Sequence, residues 1–279
     1  MSNFDKENTY IFLDTYYSKK DQLRFLLLLK SVDLIYSING AVQGSKVFDK
    51  ALEKNIPIIM NWAGSDVSIA SKDISESIEN KKYIQNVTHH AVAPWLKEEL
   101  KEIGINAKYL PYLHFDKKTT PKIPNSESIS IITYISEKDP DFYGLPIVKK
   151  LAERHPNCSF TVVGMNGEDS NNLSYKGWVN NMDEMMNQHH VALRITKHDG
   201  LSNFILDGLS LGRTVIYNQK LEGTKTGMNL EEISSILNEI DPKNWSLSTV
   251  GIDFIRTNFN ENKVYSLILK EFEKAIEQG

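Results

Sequence analysis

Two carboxylates, Asp199 and Asp207, stand eight residues apart within residues 193–217, whose sequence is LRITKHDGLSNFILDGLSLGRTVIY. This pattern predicts a buried strand, a glycine turn, a short helix and a second buried strand. Asp199 falls in the turn, and Asp207 follows about two helical turns later. The first N–H groups of a helix form an anion site, and a carboxylate deeper in the same crevice suits sugar or ribose hydroxyls. The combination indicates a nucleotide-sugar site.

The turn at residues 198–201 lies where the carboxyl end of a strand meets a helix, which is the usual ligand position in open α/β sheets. Gly200 lets a ligand approach the backbone closely. A purely structural interpretation stays open, in which Ser202 or Asn203 caps the helix and Asp199 only forms the turn. Asp207 stands among large apolar residues, where an uncompensated carboxylate would be costly, so it either faces the crevice or finds a partner.

The composition is that of an ordinary globular protein. Its 279 residues allow one large or two modest domains, and 41% are hydrophobic and 24% charged. The net charge of −4 gives no basic field for nucleic acid. A single cysteine, Cys158, excludes an internal disulfide and a cysteine-based metal cluster, so a reducing cytoplasm is the expected setting. Residues 1–8 do not read as a signal peptide, and the longest apolar run is too short to span a bilayer.

Short apolar runs alternate with amphipathic stretches, which predicts βα units around parallel sheets. We expect strands at residues 10–13, 33–38, 56–60, 86–93, 107–110, 129–135, 159–164, 190–196 and 214–217. We expect helices at residues 44–54, 95–103, 144–154, 183–188, 202–211, 231–239 and 262–278. Residues 114–127 carry prolines and lysines without apolar periodicity and are the best linker candidate.

The expected fold class is α/β, with two Rossmann-like doubly wound domains joined by this linker. The first domain, residues 1–116, is reduced in size. The second domain covers residues 117–261. The C-terminal helix, residues 262–279, is a candidate to pack back on the first domain.

The stretch 193–217 resembles the donor-site signature of the family 4 retaining glycosyltransferases of the GT-B fold. In that family a glutamate is followed directly by a glycine. A second glutamate comes after the first with seven residues between them, and a glycine and a Val/Ile strand follow it. Asp199, Gly200, Asp207, Gly212 and residues 215–216 fall on those positions, with each acid one methylene shorter. The similarity extends from about residue 56 to residue 217. It implies two Rossmann-like domains that face each other across a cleft.

The resemblance implies a donor site in the second domain for a nucleotide diphosphate sugar, which is the substrate, with no cofactor and no metal. The backbone of Val179 would meet the nucleotide base and Asp207 the ribose hydroxyls. Asp199 would contact the hydroxyls of the transferred sugar.

The leaving group in such a site is the nucleoside diphosphate, and its charge must be neutralised as the glycosidic bond breaks. Lys138, after the first strand of the donor domain, is the leading cationic candidate, with Arg194 and Lys197 as further ones. The backbone amides that would assist them belong to Gly200, Leu201 and Ser202.

The acceptor is expected on the first domain, at Gly64, Ser65 and Asp66. His90 is the candidate to position or polarise the acceptor hydroxyl. The alternative for this and the other histidines, including His114, is a core or surface position, because none shows metal-ligand spacing. The family commonly has a glycine-rich loop after its first strand, whereas the residues after the expected strand at 10–13 contain no glycine.

Residues 19–30 have the composition of a basic amphipathic helix, which would allow a peripheral contact with a membrane. The contiguous leucines at 26–29 favour burial in the first domain instead.

The expected function is transfer of a sugar from a nucleotide diphosphate sugar to a saccharide, lipid-linked or protein acceptor, with retention of configuration. One alternative is a non-catalytic relative that binds a nucleotide sugar or supports a partner transferase. The two aspartates and the missing glycine loop favour that alternative. Another GT-B activity, such as epimerisation of a nucleotide sugar, is a third reading. The sequence does not indicate the sugar, the base, the acceptor or the oligomeric state.

Overall fold

A computed structural model of the chain describes residues 5–42, 46–76, 81–112 and 119–278. Two compact units are present. Unit 1 comprises Met1–Leu113 together with Glu261–Gly279, and unit 2 comprises His114–Asn260. Each unit contains one parallel β-sheet. His114 and the first two residues of the expected helix at 44–54 lie outside the described residues.

The described residues form ten strands and eleven helices. The strands are β1 Ile35–Ile38, β2 Ile58–Trp62, β3 Thr88–Ala91, β4 Lys108–Tyr109, β5 Ser130–Tyr134, β6 Ser159–Val163, β7 Leu173–Tyr175, β8 Val191–Arg194, β9 Thr214–Tyr217 and β10 Thr224–Thr226. The helices are α1 Lys19–Leu28, α2 Lys46–Leu52, α3 Ser65–Glu76, α4 Lys81–Gln85, α5 Pro94–Glu102, α6 Leu145–Arg154, α7 Met182–Met186, α8 Asn203–Ser210, α9 Leu230–Asn238, α10 Thr249–Asn258 and α11 Glu261–Gln278.

The sheet of unit 1 has its four strands in chain order, β1-β2-β3-β4, and every neighbouring pair is parallel. Strand β2, with the sequence IIMNW, is buried along its whole length. Right-handed crossovers between parallel strands that follow one another in this order place the connecting helices on one face of the sheet. The opposite face must therefore be covered by another element.

Helix α11 contacts that opposite face. The ring of Phe272 lies 5.2 Å from the ring of Tyr36 on β1. Glu271 contacts His90 on β3, with 3.2 Å between Oε2 and Nε2, and also accepts a hydrogen bond from Lys108 on β4. Apolar residues of the same helix pack on Leu110. The C-terminal helix is thus part of unit 1, although it follows the whole of unit 2 in the chain.

The expected strand at residues 10–13 is wrong. The segment YIFL has no strand structure, and its Phe12 side chain is 70% exposed. The first strand of the sheet is β1, and the residues between β1 and α2 include Gly40 and Gly44, of which Gly44 lies outside the described residues. The expected absence of glycine after the first strand is therefore also wrong, because it rested on the misplaced strand.

Gly40 packs directly on the indole of Trp62. A Cβ atom at Gly40 would lie 2.1 Å from the ring, so only glycine fits against this fully buried side chain. The backbone N–H of Gly40 also donates to Asp66 on α3 at 2.8 Å. The loop after β1 is therefore held against the end of β2.

The sheet of unit 2 has the order β10-β9-β8-β5-β6-β7, and all its strands are parallel. Counted from β5, the chain first adds β6 and β7 on one side and then returns to add β8, β9 and β10 on the other. This is the strand order of a Rossmann sheet. The order in which strands are added reverses between β5 and β8, although the strands themselves remain parallel. Ligands in such sheets bind outside the carboxyl ends of the strands at that reversal.

Arg213 is a fully buried cation next to β9. Its guanidinium donates four hydrogen bonds to the carbonyl groups of Leu211, His189 and Lys122, at 2.7–2.9 Å. The side chain also lies 5.0 Å from the ring centre of Trp245. Arg213 thereby fastens residue 122, within the expected linker, to the body of unit 2.

Helix α1 is oriented differently from the expectation that residues 26–29 are all buried. Leu29 is buried, but Leu26 and Leu27 face solvent. None of the helices in the described part of the chain is long and apolar enough to cross a bilayer.

Candidate functional site

The loops that follow β5 and β8 are in direct contact at the carboxyl edge of the unit 2 sheet. Gly144, at the end of the β5 loop, has φ 77°, and a Cβ atom there would lie 2.7 Å from the carbonyl oxygen of Ile195. The backbone N–H of Lys197 donates to the carbonyl of Phe142 at 3.0 Å. The site at the reversal of strand order is therefore formed by two loops that are locked together.

Arg194, the last residue of β8, forms a two-point ion pair with Asp199. Its Nε lies 2.5 Å from Oδ2 and its Nη2 lies 2.9 Å from Oδ1. Both side chains are largely buried. The hydroxyl of Tyr217, on the neighbouring strand β9, donates to Asp199 at 3.2 Å and to the carbonyl of Gly200 at 3.1 Å. The turn that leads into α8 is thus held by side chains of two adjacent strands.

The pKa of Arg194 reflects this pairing. Burial disfavours its charged form, but the hydrogen bonds and the negative charge of Asp199 outweigh burial, and the net effect raises the pKa. The guanidinium also lies 5.3 Å from the ring centre of Tyr143, in the β5 loop. Arg194 therefore remains a cation that is neutralised within the protein.

Helix α8 begins where the β8 loop ends. Ser202 takes the N-cap position, but its side chain makes no capping hydrogen bond. The helix lies close to the sheet at Gly208, where a Cβ atom would be 3.1 Å from side-chain atoms of Ala192 and Val215. Asp207, one residue earlier, is 5% exposed. The second carboxylate of the sequence motif is therefore buried in the helix that starts at the site.

Two lysines of the contacting loops reach solvent. Lys138 in the β5 loop and Lys197 in the β8 loop are both exposed, and neither forms an ion pair among described residues 119–278. Glu137, beside Lys138, accepts hydrogen bonds from the backbone and side chain of Asn166 in the β6 loop, both at 2.9 Å. Two positive charges are available at this edge.

A third pair of loops meets at the same edge. Gly164 after β6 and Gly177 after β7 both have positive φ, and the N–H of Gly164 donates to the carbonyl of Gly177 at 2.7 Å. Trp178 follows with 77% of its surface exposed, and Val179 is half-buried. An exposed indole beside Val179 offers a flat apolar surface at the carboxyl edge of the sheet.

The predicted residues of unit 2 therefore fall on one edge of one sheet. Lys138, Val179 and the residues 194–202 lie in or next to the loops after β5, β7 and β8, and Asp207 lies in the helix that follows. An open concavity of about 800 Å³ lies at the opposite edge, at the amino ends of β5 and β6, and is lined by Ile129, His155 and Cys158. None of the predicted residues borders it.

The predicted acceptor residues of unit 1 have structural contacts of their own. Asp66 accepts hydrogen bonds from the backbone N–H groups of Ala63, Gly64, Val67 and Gly40, at 2.7–3.1 Å. This carboxylate, in the first turn of α3, holds the helix start to the residues before it and to the β1 loop. Gly64 is buried with φ 149°, whereas Ser65 is exposed. Only Ser65 of this group presents a polar side chain to solvent.

His90 lies beneath α11 with no exposed surface, and its Nε2 contacts Glu271. Burial lowers its pKa, partly offset by Glu271. Its predicted acceptor role receives no support from this position.

The neighbouring His89 accepts a hydrogen bond from Nε1 of Trp62 at its Nδ1, 3.0 Å away, and its Nε2 contacts the carbonyl of Ile84. A ring with an accepting Nδ1 is neutral, and burial lowers the pKa of His89 to about 4.

No cluster of three or more His, Cys, Asp or Glu in the described ranges is arranged to hold a metal ion.

The chain is similar to several solved structures. HepE from Anabaena, in complex with UDP-glucose, matches with a TM-score of 0.69 at 12% identity, over 91% of this chain and 82% of that chain. Sucrose-phosphate synthase from Thermosynechococcus elongatus matches with a TM-score of 0.71 at 11% identity, over 98% and 83%. The lipopolysaccharide outer core galactosyltransferase WaaB matches with a TM-score of 0.64 at 12% identity, over 91% and 80%. This is the GT-B fold.

The predicted fold class, α/β with two Rossmann-like sheets and a smaller first one, is confirmed, with sheets of four and six strands. No protein-family model and no curated protein matches the chain. At these identities the solved structures establish the GT-B fold.

Three residues of the site were not predicted from the sequence. Tyr143 and Tyr217 contact Arg194 and Asp199 respectively, and Trp178 is exposed beside Val179. Aromatic residues are usually core residues, and nothing in the spacing separates these three from the others. The one signal for Tyr217 is its place at the end of a strand next to the motif.

Proposed function

We propose that this protein is a glycosyltransferase related to family 4, which moves a sugar from a nucleotide diphosphate sugar to a saccharide, lipid-linked or protein acceptor with retention of configuration. The observation that carries the proposal is the contact between the β5 and β8 loops at the reversal of strand order, with two exposed lysines and the start of α8 at that edge. HepE, a GT-B protein of similar fold, has been solved with UDP and glucose and with UDP-glucose.

The diphosphate is assigned to the start of α8. The backbone amides of Gly200, Leu201 and Ser202 lie where the positive end of the helix dipole adds to their own N–H groups. Lys138 and Lys197 add charge from the two contacting loops. As the bond from the anomeric carbon to the phosphate oxygen breaks, negative charge builds on the diphosphate, and these groups stabilise it in place.

Arg194 and Asp199 act as a unit in this account. Because Asp199 already neutralises Arg194, we assign the diphosphate to the lysines and treat Arg194 as a positioning residue for Asp199. Each carboxylate oxygen can accept more than one hydrogen bond, so Asp199 can still accept one from a hydroxyl of the transferred sugar. The arginine fixes the direction in which that carboxylate points.

The nucleoside is assigned to Asp207 on α8 and to the loop after β7. Asp207 would accept hydrogen bonds from ribose hydroxyls. The backbone of Val179 would meet the base, and the exposed indole of Trp178 would provide a stacking surface next to it. Retention requires the acceptor oxygen to arrive on the face of the sugar from which the diphosphate departs. Ser65 is the acceptor-side candidate that keeps an exposed polar side chain.

The test is turnover by the purified protein. A panel of nucleotide diphosphate sugars would be incubated with saccharide, lipid-linked and peptide acceptors, and both the released nucleoside diphosphate and the glycosylated product would be measured. We expect Asp207→Asn and Lys138→Ala to reduce kcat/KM by about tenfold or more. Lys149→Ala, an exposed lysine on α6, is the matched control and should keep wild-type turnover. Wild-type turnover in Asp207→Asn would reject the assignment.

The ion pair between Arg194 and Asp199 favours one further candidate, a non-catalytic protein that binds a nucleotide sugar or supports a partner transferase. A carboxylate already paired with a buried arginine has a smaller net negative charge to stabilise a reacting sugar. Such a protein would bind the donor without hydrolysing or transferring it. Donor binding by calorimetry together with no product from any acceptor would select this candidate over the transferase.

A further inference from the structure

The outward face of α1 combines leucines with basic residues. The exposed side chains of the helix are Lys19, Lys20, Leu23, Arg24, Leu26 and Leu27, which we call the α1 surface. Leu23 and Leu27 are 62% and 72% exposed. Asp21, the one acid within the helix, is half-buried on the other side. A helix that merely packs on a globular core shows the reverse arrangement, with leucines inward and charges outward.

The segment before α1 continues the apolar exposure. Phe12 faces solvent, and Tyr16 and Tyr17, which contact each other edge to face, are 83% and 84% exposed. Asp14 turns its carboxylate to the backbone N–H groups of the two tyrosines. Seven large apolar side chains between residues 11 and 27 are thus exposed close together in the chain. Contiguous exposure of this kind marks an interaction surface.

We propose that the α1 surface docks peripherally on a membrane that contains anionic lipids. The leucines would enter the boundary between headgroups and acyl chains, while the flexible stems of the lysines and of Arg24 let their charges reach the lipid phosphates. Tyrosine rings suit the same depth because they have an apolar body and a polar tip. The ten residues of α1 are too few to span a bilayer, so the helix lies in the plane of the interface.

Charge complementarity selects the anionic membrane as occupant. The protein as a whole carries a net charge of −4, so the basic character of the α1 surface is local. Every charged side chain on that surface is positive, and anionic headgroups attract such a cluster in proportion to the number of basic residues. A single convex helix face also offers no groove for a peptide.

The test is co-sedimentation of the full chain with phosphatidylcholine vesicles, with and without phosphatidylglycerol. We expect binding only to vesicles with phosphatidylglycerol, weakened by salt. Leu23→Ser/Leu27→Ser and Lys20→Glu/Arg24→Glu should each reduce the partition coefficient by about tenfold or more. The matched controls are Ile69→Ser, an exposed isoleucine on α3, and Lys149→Glu/Lys150→Glu on α6, which should bind as the wild type does.

All the substituted side chains are exposed, so we expect the unfolding midpoint of each variant to match that of the wild type. Measurement of that midpoint shows whether each variant is folded. Equal binding to both kinds of vesicle, no binding, or an equal loss in the controls would overturn the proposal. Light scattering is measured in parallel. A dimer that Leu23→Ser/Leu27→Ser converts to a monomer, without vesicle binding, would assign the α1 surface to a second copy of the chain instead. The readout is lipid binding rather than turnover, so it stands independently of the proposed function.

Discussion

Arg194 and Asp199 are joined at two points, with 2.5 Å from Nε to Oδ2 and 2.9 Å from Nη2 to Oδ1, across the turn between β8 and α8. The pair closes the turn on which the proposed diphosphate site depends. Removal of one partner of a buried ion pair leaves an uncompensated charge, which costs more than the pair itself contributes.

Asp199→Ala should therefore lower the free energy of unfolding by about 3–5 kcal/mol. The double variant Arg194→Met/Asp199→Ala should be less destabilised than the single one, because no buried charge is left. Chemical unfolding measures both. Glu239→Ala is the control, since it breaks the exposed pair with Lys225 and should cost less than about 1 kcal/mol. A double variant that is less stable than Asp199→Ala would contradict this account of the pair.

Arg213→Lys should destabilise unit 2 although it keeps the charge. The lysine ammonium cannot reproduce the planar fork that now donates to the carbonyl groups of Leu211, His189 and Lys122. We expect a loss of about 3 kcal/mol, seen as a lower unfolding midpoint. Arg154→Lys replaces an exposed arginine and should leave the midpoint almost unchanged. If both variants unfold alike, the buried hydrogen bonds of Arg213 do not stabilise the fold.

His89 should make stability fall as the pH falls. Burial lowers the pKa of His89 to about 4 in the folded protein, against about 6.5 in an unfolded chain. Between these values the unfolded state binds the proton and the folded state does not, so acidification favours unfolding. His89→Asn keeps an acceptor for Trp62 and removes the titration. Between about pH 7 and about pH 5 the wild type should lose about 2 kcal/mol more than this variant. Parallel stability curves for the two proteins would refute the assignment.

Glu271→Ala should loosen α11 from the sheet of unit 1. Glu271 accepts a hydrogen bond from Lys108 and contacts His90, so it is a charged contact between that helix and strands β3 and β4. We expect a local cost of about 2 kcal/mol and faster amide exchange along α11. Glu277→Ala, exposed on the same helix, is the control. Equal exchange rates in the two variants would show that apolar packing alone holds the helix.

The core of unit 2 was accessible to sequence reasoning because its strands are continuous apolar runs. Strands β5, β6, β8 and β9 all fall within expected segments, and so do α6 and α8. Strands β7 and β10 were missed because they have three residues each, LSY and TKT, with too little apolar pattern to register. They are edge strands, where burial imposes the weakest pattern.

Unit 1 was predicted less well for a related reason. The run at residues 10–13 is apolar like a strand, yet it is exposed, so hydrophobicity alone pointed to the wrong element. The same error hid the glycines that follow β1.

The spacing of Asp199 and Asp207 placed both residues correctly on a turn and a helix. The ion pair to Arg194 could not be foreseen, because it depends on how the turn after β8 folds back so that the side chain of Asp199 meets the last residue of that strand.

The most direct test of the central claim is calorimetric titration of the wild type with a panel of nucleoside diphosphates and their sugars, repeated on Lys138→Ala, Asp207→Asn and the control Lys149→Ala. If the carboxyl edge at β5 and β8 binds the donor, at least one nucleoside diphosphate will bind the wild type and the control alike, and its affinity will fall about tenfold or more in the other two variants. Failure of every nucleotide to bind the folded protein, or equal affinity in all the variants, would contradict the account.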